Sequence, residues 1–300
     1  MIKSITVTNY LGDSIKLDLA RPELSGFVVR SISGLGPGKA NINITDLTTD
    51  DGGVYNSARL PARNIVISLK YLWHPTIEDV RQLSYKYFPI KKKVTLLIET
   101  DNRKAEIDGY VESNEPTIFS NSEGSDISII CSNPYFRSAG VNGKNITLLS
   151  GVEPTLEFPF GAESIIEMGN IENKTEQVVR YDGDAEVGIT ITIHALDVAT
   201  NVAIGNTRTR EIMRIDTAKL AALTGAGICP GDYIVICTEK GNKSITLQRE
   251  GKTYNILNCL DKDADWFTLV KGDNIFACTA ESGISNLQVM IENDVIYEGV

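Results

Sequence analysis

Val94-Thr95-Leu96-Leu97-Ile98, Ile107-Asp108-Gly109-Tyr110-Val111 and Ile127-Ser128-Ile129-Ile130-Cys131 follow one another in the chain, and their reading decides the fold class. In each run apolar side chains recur at alternate positions, which puts one face of an extended strand on a core and the other in water. The pattern continues outward at the spacing of short strands. Toward the N-terminus Ile15, Leu17 and Leu19 share a face, as do Ile42 and Ile44, then Ile65, Ile67 and Leu69. Toward the C-terminus Ile189-Thr190-Ile191-Thr192-Ile193 is the cleanest strand. Ile245 and Leu247 face Tyr254 and Ile256 across Arg249-Glu250-Gly251-Lys252, which reads as a hairpin turn. Leu287, Val289 and Ile291 and then Val295 and Tyr297 flank Asn293-Asp294, which reads as a second one. The expected fold class is mostly β.

One helix interrupts this series. Thr76 is placed to cap it, Asp79 sits at the reciprocal capping position, and Ile77, Val80, Leu83, Ser84 and Tyr87 follow the helical period until Pro89 stops it. Acids in its first turn and Lys86 in its last suit the helix dipole. A weaker helical pattern covers Thr217 to Leu223.

At 300 residues, with 42% apolar and 23% charged side chains, the chain is globular in composition and long enough for two domains. No run of eighteen apolar residues exists to span a membrane as a helix. The opening alternates like a strand and has no basic segment followed by an apolar one, so no secretory leader is expected, and the chain is expected to stay in the cytoplasm of its maker or to leave by lysis. The net charge is -10, and it is unevenly spread: residues 1–140 carry 16 basic and 16 acidic groups, which leaves 13 and 23 of the totals 29 and 39 for residues 141–300. An acidic second half argues against sequence-reading nucleic-acid binding. Pro134-Tyr135-Phe136-Arg137-Ser138-Ala139-Gly140 breaks the strand pattern where the charge shifts, and the expected domains are 1–138 and 139–300. Gly151-Val152-Glu153-Pro154 and Phe158-Pro159-Phe160-Gly161 read as a linker-like entry to the second.

The residues give no reason to expect an enzyme. His74 and His194 are the two histidines, and no G-x-S-x-G elbow accompanies them. Gly34-Leu35-Gly36-Pro37-Gly38-Lys39 misses the phosphate-loop spacing and reads as a flexible surface turn. Asp261-Lys262-Asp263-Ala264-Asp265 has alternate carboxylates, but Trp266 and Gly272 stand where a calcium loop needs Gly and Glu. Asp182-Gly183-Asp184-Ala185-Glu186 reads as a polar loop, and Lys91-Lys92-Lys93 as a solvated strand entrance or a contact for an acidic protein. Cys131, Cys229, Cys237, Cys259 and Cys278 lie in or beside apolar runs without CxxC spacing, as reduced thiols do. Four Asn-x-Ser/Thr sequons, at Asn43, Asn145, Asn173 and Asn242, are chance matches without a secretory signal. Tyr135-Phe136 and Trp266-Phe267 are buried corners or, on the sharper reading, sugar-stacking platforms. No catalytic, cofactor-binding or metal-ligating residue is assigned, no cofactor is expected, and ligand-binding residues stay unknown.

The order of motifs resembles the distal tail protein family of tailed bacteriophages. The resemblance runs from Thr8-Asn9-Tyr10-Leu11-Gly12-Asp13-Ser14-Ile15 through Ile32-Ser33-Gly34-Leu35-Gly36, Asp51-Gly52-Gly53-Val54-Tyr55 and Leu60-Pro61-Ala62-Arg63-Asn64-Ile65. It continues with Arg81 and Phe88-Pro89 of the helix, Ile107-Asp108-Gly109-Tyr110-Val111-Glu112 and Ile130-Cys131-Ser132-Asn133-Pro134-Tyr135-Phe136. Asn133 departs from the family's aspartate, and either residue can start a turn before proline. In the second half Tyr181 to Gly188, Gly231-Asp232-Tyr233-Ile234, Asp265 to Asn274 and Tyr297-Glu298-Gly299-Val300 are similar too.

The resemblance implies a split β-barrel or sandwich with one helix, followed by a galectin-like β-sandwich. It implies a non-enzymatic virion protein at the tail tip or baseplate, assembled in the host cytoplasm. Its partners would be its own copies in a hexameric ring, the tail tube protein, a tail-tip or tail-associated protein, and receptor-binding or baseplate proteins. DNA would pass the lumen without sequence-specific contact, and nothing would insert in a membrane. The alternative is a carbohydrate-binding module that meets the host surface through the second domain, using Trp266 or another exposed aromatic. A cell-wall hydrolase is a third reading, and it lacks any nucleophile or metal-ligand signature.

Overall fold

A computed structural model of the chain describes residues 1–47, 51–73, 75–120, 122–140, 143–154, 169–173 and 176–300. The strands are β1 (Ile2–Asn9), β2 (Ser14–Asp18), β3 (Phe27–Ser33), β4 (Asn41–Asp46), β5 (Gly53–Arg59) and β6 (Arg63–Tyr71); after helix α1 (Ile77–Tyr87) come β7 (Lys93–Thr100), β8 (Lys104–Thr117), β9 (Gly124–Cys131) and β10 (Phe136–Ser138). Then follow β11 (Lys144–Pro154), β12 (Gly169–Asn173), β13 (Glu176–Tyr181), β14 (Thr190–Ala195), β15 (Ala203–Asn206) and β16 (Glu211–Arg214). Helix α2 (Thr217–Thr224) precedes β17 (Tyr233–Cys237), β18 (Ser244–Arg249), β19 (Lys252–Asn255), β20 (Gly272–Thr279), β21 (Leu287–Asp294) and β22 (Ile296–Tyr297). The mostly-β expectation holds.

The chain divides into two compact units, one of residues Met1–Gly143 with Ile296–Val300 and one of Lys144–Val295. The division differs from 138/139 in two ways. The first unit runs on past β10 to Gly143, and the last five residues, Ile296–Val300, return to it. The Asn293-Asp294 hairpin turn does not form: both residues lie inside β21, opposite Asn145 and Lys144 of β11. Alternation alone ran β21 and β22 together as two arms of one hairpin, although Ile296 and Tyr297 pair with Arg137 and Phe136 of β10. Gly151–Pro154 likewise extend β11 as strand instead of forming a linker, while Phe158–Gly161 lie outside the described residues.

In the first unit one antiparallel sheet runs β2-β1-β7-β8-β9-β6-β3, with β10 against β8 and β22 against β10. Its end strands, β2 and β3, do not pair with each other, so the barrel is split and each keeps an edge that no strand among the described residues pairs with. The alternation seen in the sequence is the inward face: Ile65, Ile67, Leu69, Leu96, Ile98, Ile107, Val111, Ile127 and Ile129 are buried in one core with Phe27 and Phe136. Helix α1 starts where Thr76 accepts the Asp79 N–H at 3.1 Å, a cap that stabilises a helix by about 1 kcal/mol. It buries Val80 and Ser84, and Asn9 Nδ2 donates to its Lys86 carbonyl at 3.1 Å, which ties its last turn to β1.

The second unit is a β-sandwich of a seven-stranded sheet, β12-β11-β21-β14-β17-β18-β19, and a four-stranded one, β13-β20-β15-β16. Ile191, Ile193, Ile234, Ile236, Ile245, Leu247, Val289 and Ile291 of the large sheet are buried, as are Val179, Ile204, Met213 and Phe276 of the small one. The turn between β18 and β19 is the expected one, with Arg249 opposite Lys252 and both Glu250 and Gly251 at positive φ. The weak pattern at Thr217 is α2, capped by Asp216, whose carboxylate accepts from the Ala218 and Lys219 amides.

Candidate assembly interface

Strands β4 and β5 pair with each other and, among the described residues, with no other strand. Every residue of both is exposed. Ile42 and Ile44, expected to face a core, are 59% and 54% exposed, and Val54 and Tyr55 beside them 50% and 63%. The alternation is genuine, but the surface that would cover it is not in this chain's own sheet. A two-stranded ribbon gains little stability alone in water, and apolar side chains in such a ribbon mark a contact surface. The polar ties within it are Asn56 Nδ2 to Thr45 Oγ1 at 2.6 Å and the backbone ladder, which slips by a bulge between Asn43 and Ile44.

The root of this hairpin is held by a densely bonded arginine. Arg63, the first residue of β6, is buried, and its guanidinium lies 4.7 Å from the Phe136 ring centroid. Nε donates to the Pro134 carbonyl at 2.7 Å, Nη1 to those of Gly34 and Gly36 at 2.7 and 2.6 Å, and Nη2 to that of Glu298 at 2.6 Å. Burial lowers the Arg63 pKa, the Glu298 charge works against that shift, and four carbonyl dipoles stabilise the buried cation. The same burial pushes the neighbouring Cys131 thiol up to about 11. Gly34, at φ 85°, has no room for a side chain: a Cβ there would sit 2.2 Å from the Asn64 carbonyl oxygen. The glycine-rich segment is thus a pinned turn, not a flexible one. Its carbonyls point at a cation, the opposite of a phosphate cradle.

The other sequence candidates are scattered. Asn133 accepts the Tyr135 N–H at 3.1 Å, so asparagine serves the turn before Pro134. Lys92 lies 5.2 Å from the Tyr10 ring centroid, and Lys93 pairs with Asp108 at 3.2 Å. Burial raises the Asp108 pKa, but Thr95, Lys93 and Arg137 outweigh it and hold the carboxyl below its ordinary value. In the second unit Lys243 sits 5.1 Å from the Trp266 ring centroid, so a cation already occupies a face of the supposed sugar platform, and Phe267 is buried edge-on to Phe276 at 5.7 Å. His194 stacks on Tyr233 at 4.2 Å, with Nδ1 3.2 Å from Gln288 Oε1. The polar loop after Tyr181 is tied down by its hydroxyl, which donates to the Ala185 carbonyl at 2.7 Å. His74 lies outside the described residues. Among them no group of three or more His, Cys, Asp or Glu could hold a metal ion, and no helix is long and apolar enough to cross a membrane. All five cysteines are free. Sequence reasoning missed Arg63 as an organising residue; a cation in register with the alternate buried positions Ile65, Ile67 and Leu69 was the available signal.

No family model and no curated protein matches the sequence. Solved structures do match in fold. The crystal structure of the SPP1 Dit protein (gp 19.1), described as a paradigm of the hub adsorption apparatus in phages infecting Gram-positive bacteria, aligns at 13% identity and a TM-score of 0.65 over 97% of this chain and 99% of that one. A chain of the phage P2 baseplate in its activated conformation with calcium aligns at 12% identity and a TM-score of 0.50, over 97% and 98%. Such alignment over nearly the whole of both chains covers both units in order, and the chain therefore has the fold of the Dit hub proteins of phage tails.

Proposed function

We propose that the chain is a structural, non-enzymatic component of a phage tail tip. Its first unit closes with its own copies into a ring, hexameric as in the family it resembles, through which DNA passes between the tail tube and the tail-tip or receptor-binding apparatus. The observation that carries this reading is the β4–β5 hairpin: a ribbon with an apolar face that its own unit does not cover, in a chain with a Dit fold. Two sheet edges, on β2 and β3, that no strand among the described residues pairs with add a reason for copies to meet head to tail, the geometry that closes rings. The balanced charge of residues 1–140 lets copies approach closely, and the acidic excess beyond keeps the second units apart and leaves passing DNA unbound. Light scattering behind size exclusion, then negative-stain imaging of the same peak, tests it. A six-fold ring, alone or after addition of tail-tube or tail-tip protein, is expected. A monomer that persists with both partners present overturns it.

A further inference from the structure

Residues 296–300 follow the second unit in the chain but complete the first. Ile296 and Tyr297 form a two-residue ladder with β10, and the Arg103 guanidinium lies 4.4 Å from the Tyr297 ring centroid. Val300 donates its N–H to the Leu35 carbonyl at 3.0 Å. Gly299 is pressed so closely on the same turn that a Cβ would stand 3.0 Å from Pro37 N and 3.1 Å from the Leu35 carbonyl oxygen. One guanidinium then binds both partners of this contact, because Arg63 holds Glu298 on one side and Gly34 and Gly36 on the other. The turn 34–38 leads into β4 from one side, and Arg63 follows β5 on the other. Both roots of the exposed hairpin therefore converge on a cluster that is incomplete without residues 296–300.

We propose that residues 296–300 act as a latch on the hairpin root. The first unit reaches its assembly-competent form only after the second unit has been made and the latch has closed. The local ladder of β4 and β5 stays possible without the latch, but the Leu35 carbonyl then loses its amide partner and Arg63 loses one of its four acceptors, so the ribbon's direction is no longer fixed. A ring needs that direction set in every copy, since heterologous contacts close at one angle. The last step rests on the ring reading; the latch itself does not.

Full-length Gly299→Ala and Gly299→Val test it, the first adding one carbon against the turn and the second a branched side chain. Hydrogen exchange followed by mass spectrometry on the monomer should show uptake over residues 34–46 and 53–63 about tenfold faster in Gly299→Val, less in Gly299→Ala, with residues 190–195 and 233–237 unchanged. Ring formation should fall in the same order. Wild-type exchange at 34–46 in both variants would overturn the latch, and faster exchange with undiminished rings would overturn its control of assembly. If the wild type forms no ring, the exchange comparison still decides the latch, and the ring reading alone fails.

Discussion

Strands β4 and β14 carry nearly the same message. Asn41-Ile42-Asn43-Ile44-Thr45 and Thr190-Ile191-Thr192-Ile193-His194 both alternate isoleucine with polar residues. Yet Ile191 and Ile193 are 0% and 1% exposed, and Ile42 and Ile44 more than half exposed. β14 lies between β21 and β17 in the middle of a seven-stranded sheet, whereas β4 has β5 and nothing else among the described residues. The contrast teaches that period-two alternation declares a face to be covered without saying which chain covers it.

Ile191→Ala should produce the largest loss of monomer stability, about 2–5 kcal/mol, because a packed core cannot collapse fully around the cavity; a denaturant midpoint equal to wild type would break the contrast from the buried side. Next comes Arg63→Met, which removes every donor from four carbonyls and should cost about 3 kcal/mol, read as a drop in the melting temperature of the first unit. Ile44→Asp should move monomer stability by no more than about 0.5 kcal/mol and abolish higher-order assembly. A large stability loss there would mean the hairpin is covered within its own chain. Smaller still is the acid response. The Asp108 pKa is depressed in the folded state, so its contribution is present above its unfolded value, about 4, and fades as pH falls through the lower folded one. Asp108→Asn should therefore narrow the gap in melting temperature between pH 7 and pH 3, and an unchanged gap would count against the pairing with Lys93 and Arg137. Lastly, iodoacetamide at pH 8 should label the half-buried Cys229 and Cys237 before Cys131 and Cys278, whose thiols burial pushes up to about 11 and about 12.

What could be read from the sequence follows the same division. The strands around Val94–Cys131, helix α1 with its Thr76 cap and the β18–β19 turn were legible because local spacing and turn chemistry determine them. Arg63, the pinned turn at Gly34 and the return of Ile296–Val300 were not, because each depends on partners from 27 to 235 residues away along the chain. The Asn293-Asp294 turn failed for a related reason: two turn-forming residues sit within β21 where β11 pairs with them, and a supplied neighbour outweighs local preference. For the candidate interface the apolar face of β4 was legible in the alternation of Ile42 and Ile44, but it was assigned to the wrong core.

Lys144 and Asp294 are direct cross-strand partners on β11 and β21, so the chain enters and leaves the second unit through adjacent strands, about 5 Å apart. A unit joined at such a point is a cassette. Any domain whose two ends lie equally close could stand between residues 143 and 296 without lengthening either connection. Descendants of this architecture could thus change what they carry while the part that holds the carrier together keeps its sequence.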